Sequence, residues 1–240
     1  EGVNVTYLNE LTTDRDGEIT LSNLNPSVYS VSEISAPEGY VKNDEVKVFE
    51  ATEDGNVQLV FKNYRKPSLK ITKIDSDNGD TLYGAAFRIA KVGDSTRYYD
   101  RVTDRNGVIE IDGLDVGIYT VQEISAPEGY QLNDTLYHVE LFAGKESTLT
   151  VHNTVKPSIK ITKIDKHTGE KLEGAVVRIV NLSGNDLWEK TTDKNGEILL
   201  SEIDEGVYTV QEITAPEGYQ LNGELYHLTA SAGKTNELTI

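Results

Sequence analysis

Three polar residues stand where β-strand alternation places core side chains: Lys73, Glu123 and Asn153. Successive strand residues face opposite sides, so Leu69, Ile71 and Lys73 share a face. Tyr119, Val121 and Glu123 do the same, as do Leu149, Val151 and Asn153. Each series begins with apolar or aromatic residues and ends with a polar one in the same register. An amine, a carboxyl and an amide buried separately would each be expensive; together they have a chemistry. Burial raises the pKa of a carboxyl and lowers that of an amine. A protonated Glu123 then polarises the Asn153 amide, neutral Lys73 attacks its carbonyl carbon, and ammonia leaves while Glu123 relays protons. The product is an isopeptide cross-link between the first and last strands of a domain, with fixed geometry supplying the effective molarity. Each residue alone also has a plainer reading. A lysine at a strand end snorkels into solvent, a glutamate there faces outward, and an asparagine caps a turn.

The elements that must position these groups recur along the chain. The phrase Glu33-Ile34-Ser35-Ala36-Pro37-Glu38-Gly39-Tyr40 returns at Glu123–Tyr130 and, with threonine for serine, at Glu212–Tyr219. The starts differ by 123 − 33 = 90 and 212 − 123 = 89 residues. This exceeds the roughly 20 to 50 residues of solenoid repeats and suits a small domain with its own core. Lys66–Asp75 matches Lys156–Asp165, and Leu82–Ile89 matches Leu172–Ile179. Thr13-Asp14-Arg15-Asp16-Gly17, Thr103-Asp104-Arg105-Asn106-Gly107 and Thr192-Asp193-Lys194-Asn195-Gly196 each lead into an apolar run and read as hairpin turns. The apolar period is two, without a sustained helical pattern, which predicts an all-β chain of tandem sandwich domains.

Three domains are expected, at residues 1–65, 66–155 and 156–240. Their short, proline-containing junctions near Lys66-Pro67 and Lys156-Pro157 predict a rod-like array. Glu1 aligns with Lys91, so the first domain is expected to lack its opening strands. It keeps Glu33 and Asn63, while its lysine would fall at 73 − 90 = −17. The third keeps Lys163 and Glu212, and its asparagine would fall at 153 + 89 = 242, past Ile240. Only the middle domain is expected to close its own bond.

A net charge of −17 argues against nucleic-acid and anionic-membrane partners. The absence of cysteine excludes disulfides, thiol nucleophiles and cysteine-based zinc sites. No stretch reaches the roughly 18 apolar residues of a membrane span, and the chain, with no methionine, is expected to be a segment of something larger. Asp75–Asp80 departs from a calcium loop in its glycine position and lacks the terminal bidentate glutamate. His138, His152, His167 and His227 show no paired-ligand spacing, and Trp188 reads as packing. No cofactor, metal or turnover active site is expected.

The Ile-Thr-Lys-Ile-Asp strand, the Leu-x-Gly-Ala segment, the Thr-Asp-x-Asn-Gly turn, the glutamate phrase and the terminal-strand asparagine together resemble Cna B-type domains. These are prealbumin-like sandwiches of Gram-positive surface adhesins and pilins, and the resemblance covers essentially the whole chain. It implies an intradomain bond with Lys73 as nucleophile, Asn153 as electrophile and Glu123 as acid/base, with Glu33 and Glu212 in the corresponding role. It further implies an extracellular, cell-wall location and a stalk or spacer function in an adhesin or pilus-like protein, with neighbouring domains of the same polypeptide as partners. Two alternatives are a module binding host matrix or glycan through its loops, and a subunit forming intermolecular isopeptide bonds in a covalent fibre. Binding loops would be sought where the repeats diverge, at 92–97 against 181–186.

Overall fold

In the computed structural model, residues 10–53, 55–94, 96–184 and 186–240 are described. The alignment of Glu1 with Lys91, and Ser95 and Asn185 in the divergent loops, lie outside the described residues. The chain divides into two compact units, Glu1–Tyr64 and Arg65–Ile240. All the regular elements among the described residues are strands.

The first unit holds β1 (Ser27–Ser32), β2 (Tyr40–Val41) and β3 (Val46–Ala51), and β4 (Tyr64–Arg65) begins at its last residue. β1 and β3 pair antiparallel, Tyr29 opposite Phe49 with their rings stacked at 5.5 Å. The turn at Asp14–Gly17 forms, its Asp14 carboxylate accepting the amides of Asp16 and Glu18 at 2.9 Å. The apolar run that follows does not become a strand, and Ile19 and Leu21 are exposed. The run carrying Leu59, Phe61 and Asn63 is likewise not a strand, although those three residues remain the less exposed alternate positions. Strands need a partner for their backbone groups, and the strand that pairs with both segments in the other repeats has no counterpart among the described residues of this unit.

The second unit contains two sandwiches. The middle one is built from β5 (Ser68–Asp75), β6 (Ala86–Lys91), β7 (Tyr98–Val102), β8 (Val108–Ile111), β9 (Gly117–Ser125), β10 (Leu136–Leu141) and β11 (Glu146–Asn153). One sheet has the order β10-β9-β6-β7 and the other β11-β5-β8. The next sandwich repeats this with β12 (Ser158–Thr162), β13 (Val176–Asn181), β14 (Leu187–Thr191), β15 (Glu197–Leu200), β16 (Gly206–Thr214), β17 (Leu225–Ala230) and β18 (Thr235–Thr239). Each packs its inward alternate residues into a core: Leu69, Ile71, Phe87, Ile89, Val121 and Val151 in the first, and Ile159, Ile161, Val177, Ile179, Tyr208 and Val210 in the second. Trp188 packs on the latter core against Tyr208.

One expectation is corrected. The Thr-Asp-x-Asn-Gly turn does not join hairpin partners; it carries the chain from β7 in one sheet to β8 in the other. Gly107 explains the crossing. At φ +71° it lies against β5, where a Cβ would meet Lys73 O, Leu82 N and Thr81 Cβ, each at 2.8 Å. Its carbonyl accepts the Lys73 amide at 2.8 Å, so the strand leaving the turn continues along β5.

Between the two sandwiches, Val155–Pro157 is held from both sides. Lys156 N donates to Gly129 O at 2.8 Å, Gly233 N to Val155 O at 2.7 Å, and Ile203 N to Pro157 O at 3.3 Å.

Candidate functional site

β5 and β11, the first and last strands of the middle sandwich, are neighbours and run parallel. β5 buries alternate residues from Leu69 to Asp75, which brings Lys73 into the core. Lys73 pairs in register with Val151, and Asn153 pairs with Asp75. From the opposite sheet, β9 presents Tyr119, Val121 and Glu123 to the same interior. A β-bulge lies opposite Ala86 and Phe87: Phe87 pairs with Glu123 and Ala86 with Ser125, leaving Ile124 over. Such bulges re-aim side chains; here Glu123 stays inside while Ile124 turns toward solvent. The same irregularity stands beside Glu212.

The three side chains meet in a closed interior. Lys73, Glu123 and Asn153 are 0, 2 and 2% exposed. Lys73 Nζ donates to Val151 O at 3.1 Å and lies 3.9 Å from Glu123 Oε1. Asn153 Nδ2 donates to both Glu123 oxygens at 3.0 Å. Burial brings the Lys73 pKa down to about 8, outweighing the opposing attraction of Glu123 and Asp75. Burial also holds the Glu123 carboxyl above its ordinary range, against the stabilising Asn133 amide, Asn153 amide and Lys73 charge. Both shifts favour a neutral amine beside a neutral acid. Asn153 Oδ1 is buried without a hydrogen-bond partner. A half-turn of the amide exchanges Oδ1 with Nδ2 and brings the carbonyl oxygen to a carboxyl able to donate a proton.

The other expected residues fall into two partial versions of this arrangement. In the first unit, Asn63 Nδ2 donates to Glu33 at 2.9 and 2.7 Å. In the third domain, Lys163 Nζ is 3.3 Å from Glu212 Oε1, with both residues buried. That oxygen is close to the lysine but makes no aligned hydrogen bond. It is the position that Asn153 fills in the middle domain.

A further residue recurs at all three sites and was not singled out in the sequence. Ten residues after each glutamate, an asparagine amide donates to Oε2: Asn43 to Glu33 at 2.5 Å, Asn133 to Glu123 at 2.7 Å and Asn222 to Glu212 at 2.6 Å. Its threefold recurrence at fixed spacing was the available signal. Asp75 caps its own turn through the amides of Asp77 and Asn78, and its other oxygen accepts Tyr130 OH at 2.7 Å. All four histidines are exposed.

Residues 2–65, 67–155 and 157–240 each match the SpaA prealbumin-like fold domain. The chain is 34% identical over 73 residues to the trypsin-resistant surface T6 protein of Streptococcus pyogenes serotype M6, covering 30% of this chain and 14% of that protein. It is 27% identical over 195 residues to the collagen adhesin of Staphylococcus aureus, covering 64% and 16% respectively. The chain therefore spans only 14 to 16% of the length of these curated relatives. Among solved structures, the TIE protein of Bacillus anthracis aligns at 31% identity over 95% of this chain and 44% of its own, with a TM-score of 0.45. Matched in three successive copies along nearly its whole length, the chain belongs to the SpaA prealbumin-like fold domain family.

Proposed function

We propose that the chain is a stalk segment of a Gram-positive cell-surface protein, an adhesin or pilus-like fibre component, stabilised by a self-formed Lys73–Asn153 bond. The domains are assigned as 1–65, 66–155 and 156–240. The surface placement rests on the family and on relatives named as a surface protein and a collagen adhesin. The observation that carries the chemistry is the buried gathering of Lys73, Glu123 and Asn153.

The neutral Lys73 nitrogen attacks Asn153 Cγ while the protonated Glu123 carboxyl donates to the carbonyl oxygen. A proton from the attacking nitrogen passes through Glu123 to the amide nitrogen. The Cγ–Nδ2 bond breaks, ammonia leaves, and collapse of the tetrahedral centre returns the carboxyl proton. One amine and one primary amide become one secondary amide and one ammonia. The protein is its own substrate, and the reaction turns over once. Closing the bond ties the first strand to the last, which suits a spacer facing tension and proteases.

Intact mass tests the reading. The folded 240-residue chain is expected one ammonia lighter than its sequence, and Glu123→Ala is expected to regain that mass. A wild-type chain at full sequence mass would refute the bond.

A further inference from the structure

Resting on that reading, we infer that Asn133 is a positioning residue for the cross-linking reaction, holding the proton relay and the electrophile's strand in one frame. Its two ends perform different tasks. The backbone N–H donates to Glu123 Oε2 at 2.7 Å. The side-chain Nδ2 donates to His152 O at 2.9 Å and to Tyr137 OH at 3.0 Å, while Oδ1 accepts the Thr135 amide at 3.0 Å. His152 directly precedes Asn153, so one loop residue fixes both the carboxyl and the backbone that carries the amide.

The first unit shows that this frame assembles without a lysine. Asn43 N donates to Glu33 Oε2, Asn43 Nδ2 donates to Lys62 O at 3.0 Å, and Lys62 directly precedes Asn63. Glu45 N completes the set by donating to Asn43 Oδ1 at 2.8 Å. Among the described residues the ion pairs beside this set are Lys42–Asp44 and Lys47–Glu45, with none to Glu33, yet Glu33 and Asn63 still meet. In the third domain, Asn222 repeats the contacts to Glu212 Oε2, Tyr226 OH and Glu224 N. The amide-to-glutamate contact and the Oδ1 turn contact are therefore common to all three sites, and the strand-carbonyl contact is shared by the first and middle ones. Among the described residues the lysine, glutamate and asparagine come together in the middle domain.

The contact also decides which carboxyl oxygen carries the proton. An oxygen accepting a short N–H presents its lone pair to that donor, so when the carboxyl is protonated its hydrogen sits on the other oxygen. In the middle domain that other oxygen is Oε1, the one 3.9 Å from Lys73 Nζ. In the third domain Oε1 likewise faces Lys163, at 3.3 Å. The groups facing the Glu123 carboxyl are Lys73 from β5, Asn153 from β11 and Asn133 from the loop after β9; Asp75 acts on it only through Lys73. The Asn133 contact thus directs the mobile proton to the oxygen shared by amine and amide.

The full chain, released from cell-free synthesis and then sampled by intact mass at several pH values, provides the test. Asn133→Ala is expected to lose ammonia at least tenfold more slowly than wild type. Its alkaline rate limb should move to higher pH: a loop no longer anchored to His152 O stops holding its backbone N–H against Glu123, and the carboxyl then keeps its proton longer. A folded variant matching wild type in both timing and pH profile overturns the inference. If Asn133→Ala loses its β-sheet circular dichroism, Asn133→Asp decides. It keeps an oxygen for Thr135 N but puts an acceptor against His152 O, and it must show the same slowing. Should both variants fail to fold, Asn133 is a folding element and the positioning role falls. A wild-type chain that never loses ammonia instead refutes the underlying bond, so the two failures are distinguishable.

Discussion

Lys73 and Asn153 are not opposite one another: Lys73 faces Val151 across the parallel ladder, and Asn153 stands one same-face position further on. The amine reaches diagonally past the Val151 carbonyl, to which it donates at 3.1 Å. A side chain shorter than lysine could not cover that offset. Lys73→Met should therefore abolish the cross-link while preserving an apolar stem of similar length. The proposed bond would join residues 153 − 73 = 80 positions apart. By the loop-closure estimate used for disulfides, losing it costs about 4 kcal/mol, measurable as a lower denaturant midpoint for the middle domain.

The unlinked Asn153→Ala protein should be least stable near neutral pH. Lys73 has a folded pKa of about 8 against its ordinary 10.5, so the unfolded chain binds more protons between those values. Stability therefore rises with pH across that window, by up to roughly 3 kcal/mol. Glu123 is shifted upward, so on the acid side the folded chain binds more protons. Its contribution is present below the ordinary value of 4.5 and is lost as pH rises through the folded pKa. Thermal unfolding at a series of pH values would show a minimum between the two limbs; a monotonic profile would contradict it.

Gly107→Ala should destabilise the middle domain by more than Gly79→Ala. Both glycines have positive φ, at +71° and +77°, costing an alanine about 1 kcal/mol or more. Only Gly107 also has backbone atoms of Lys73 and Leu82 2.8 Å from the added carbon, while Gly79 has nothing within 4 Å. The excess should appear in chemical denaturation together with slower ammonia loss, because the displaced atoms belong to the nucleophile's own residue.

Glu202→Gly should stabilise the third domain by about 1 kcal/mol. Glu202 has φ +56°, and its counterpart in the middle domain is Gly113 at +71°. An unchanged or lowered melting temperature would show that Glu202 gains a compensating contact.

Extending the chain by two residues, with asparagine at 242, should yield a second ammonia loss. Lys163 and Glu212 are already paired at 3.3 Å, and Glu212 Oε1 has no hydrogen-bond partner. Retention of that second ammonia would show that Lys163 and Glu212 do not suffice to capture the amide.

The buried polar positions were legible because strand alternation marks a polar side chain out of place, as Lys73 is after Leu69 and Ile71. The all-β class followed from the same periodicity. Asn133 was hidden because it lies in a loop, where no alternation distinguishes an ordinary turn asparagine from one that reaches a buried carboxyl. The path of the Gly107 turn was also illegible: an Asn-Gly pair announces reversal, whereas contact with β5 selects the sheet that receives the next strand. Ile19 and Leu21 show the converse limit, since a strand-like pattern remains irregular without a neighbour to complete its ladder.

The parallel alignment of β5 and β11 has a mechanical corollary. Because both strands run in one direction, a pull applied before Ser68 and after Asn153 slides them past each other. With Lys73 bonded to Asn153, the load path runs from Ser68 to Lys73, crosses the bond and leaves at Thr154. The 79 residues between them, 74–152, lie off that path and add nothing to the extended length. An unlinked domain would release on the order of 270 Å when pulled open, at about 3.4 Å per residue. The linked one behaves as a nearly inextensible segment that dissipates little work and keeps its length from one pull to the next.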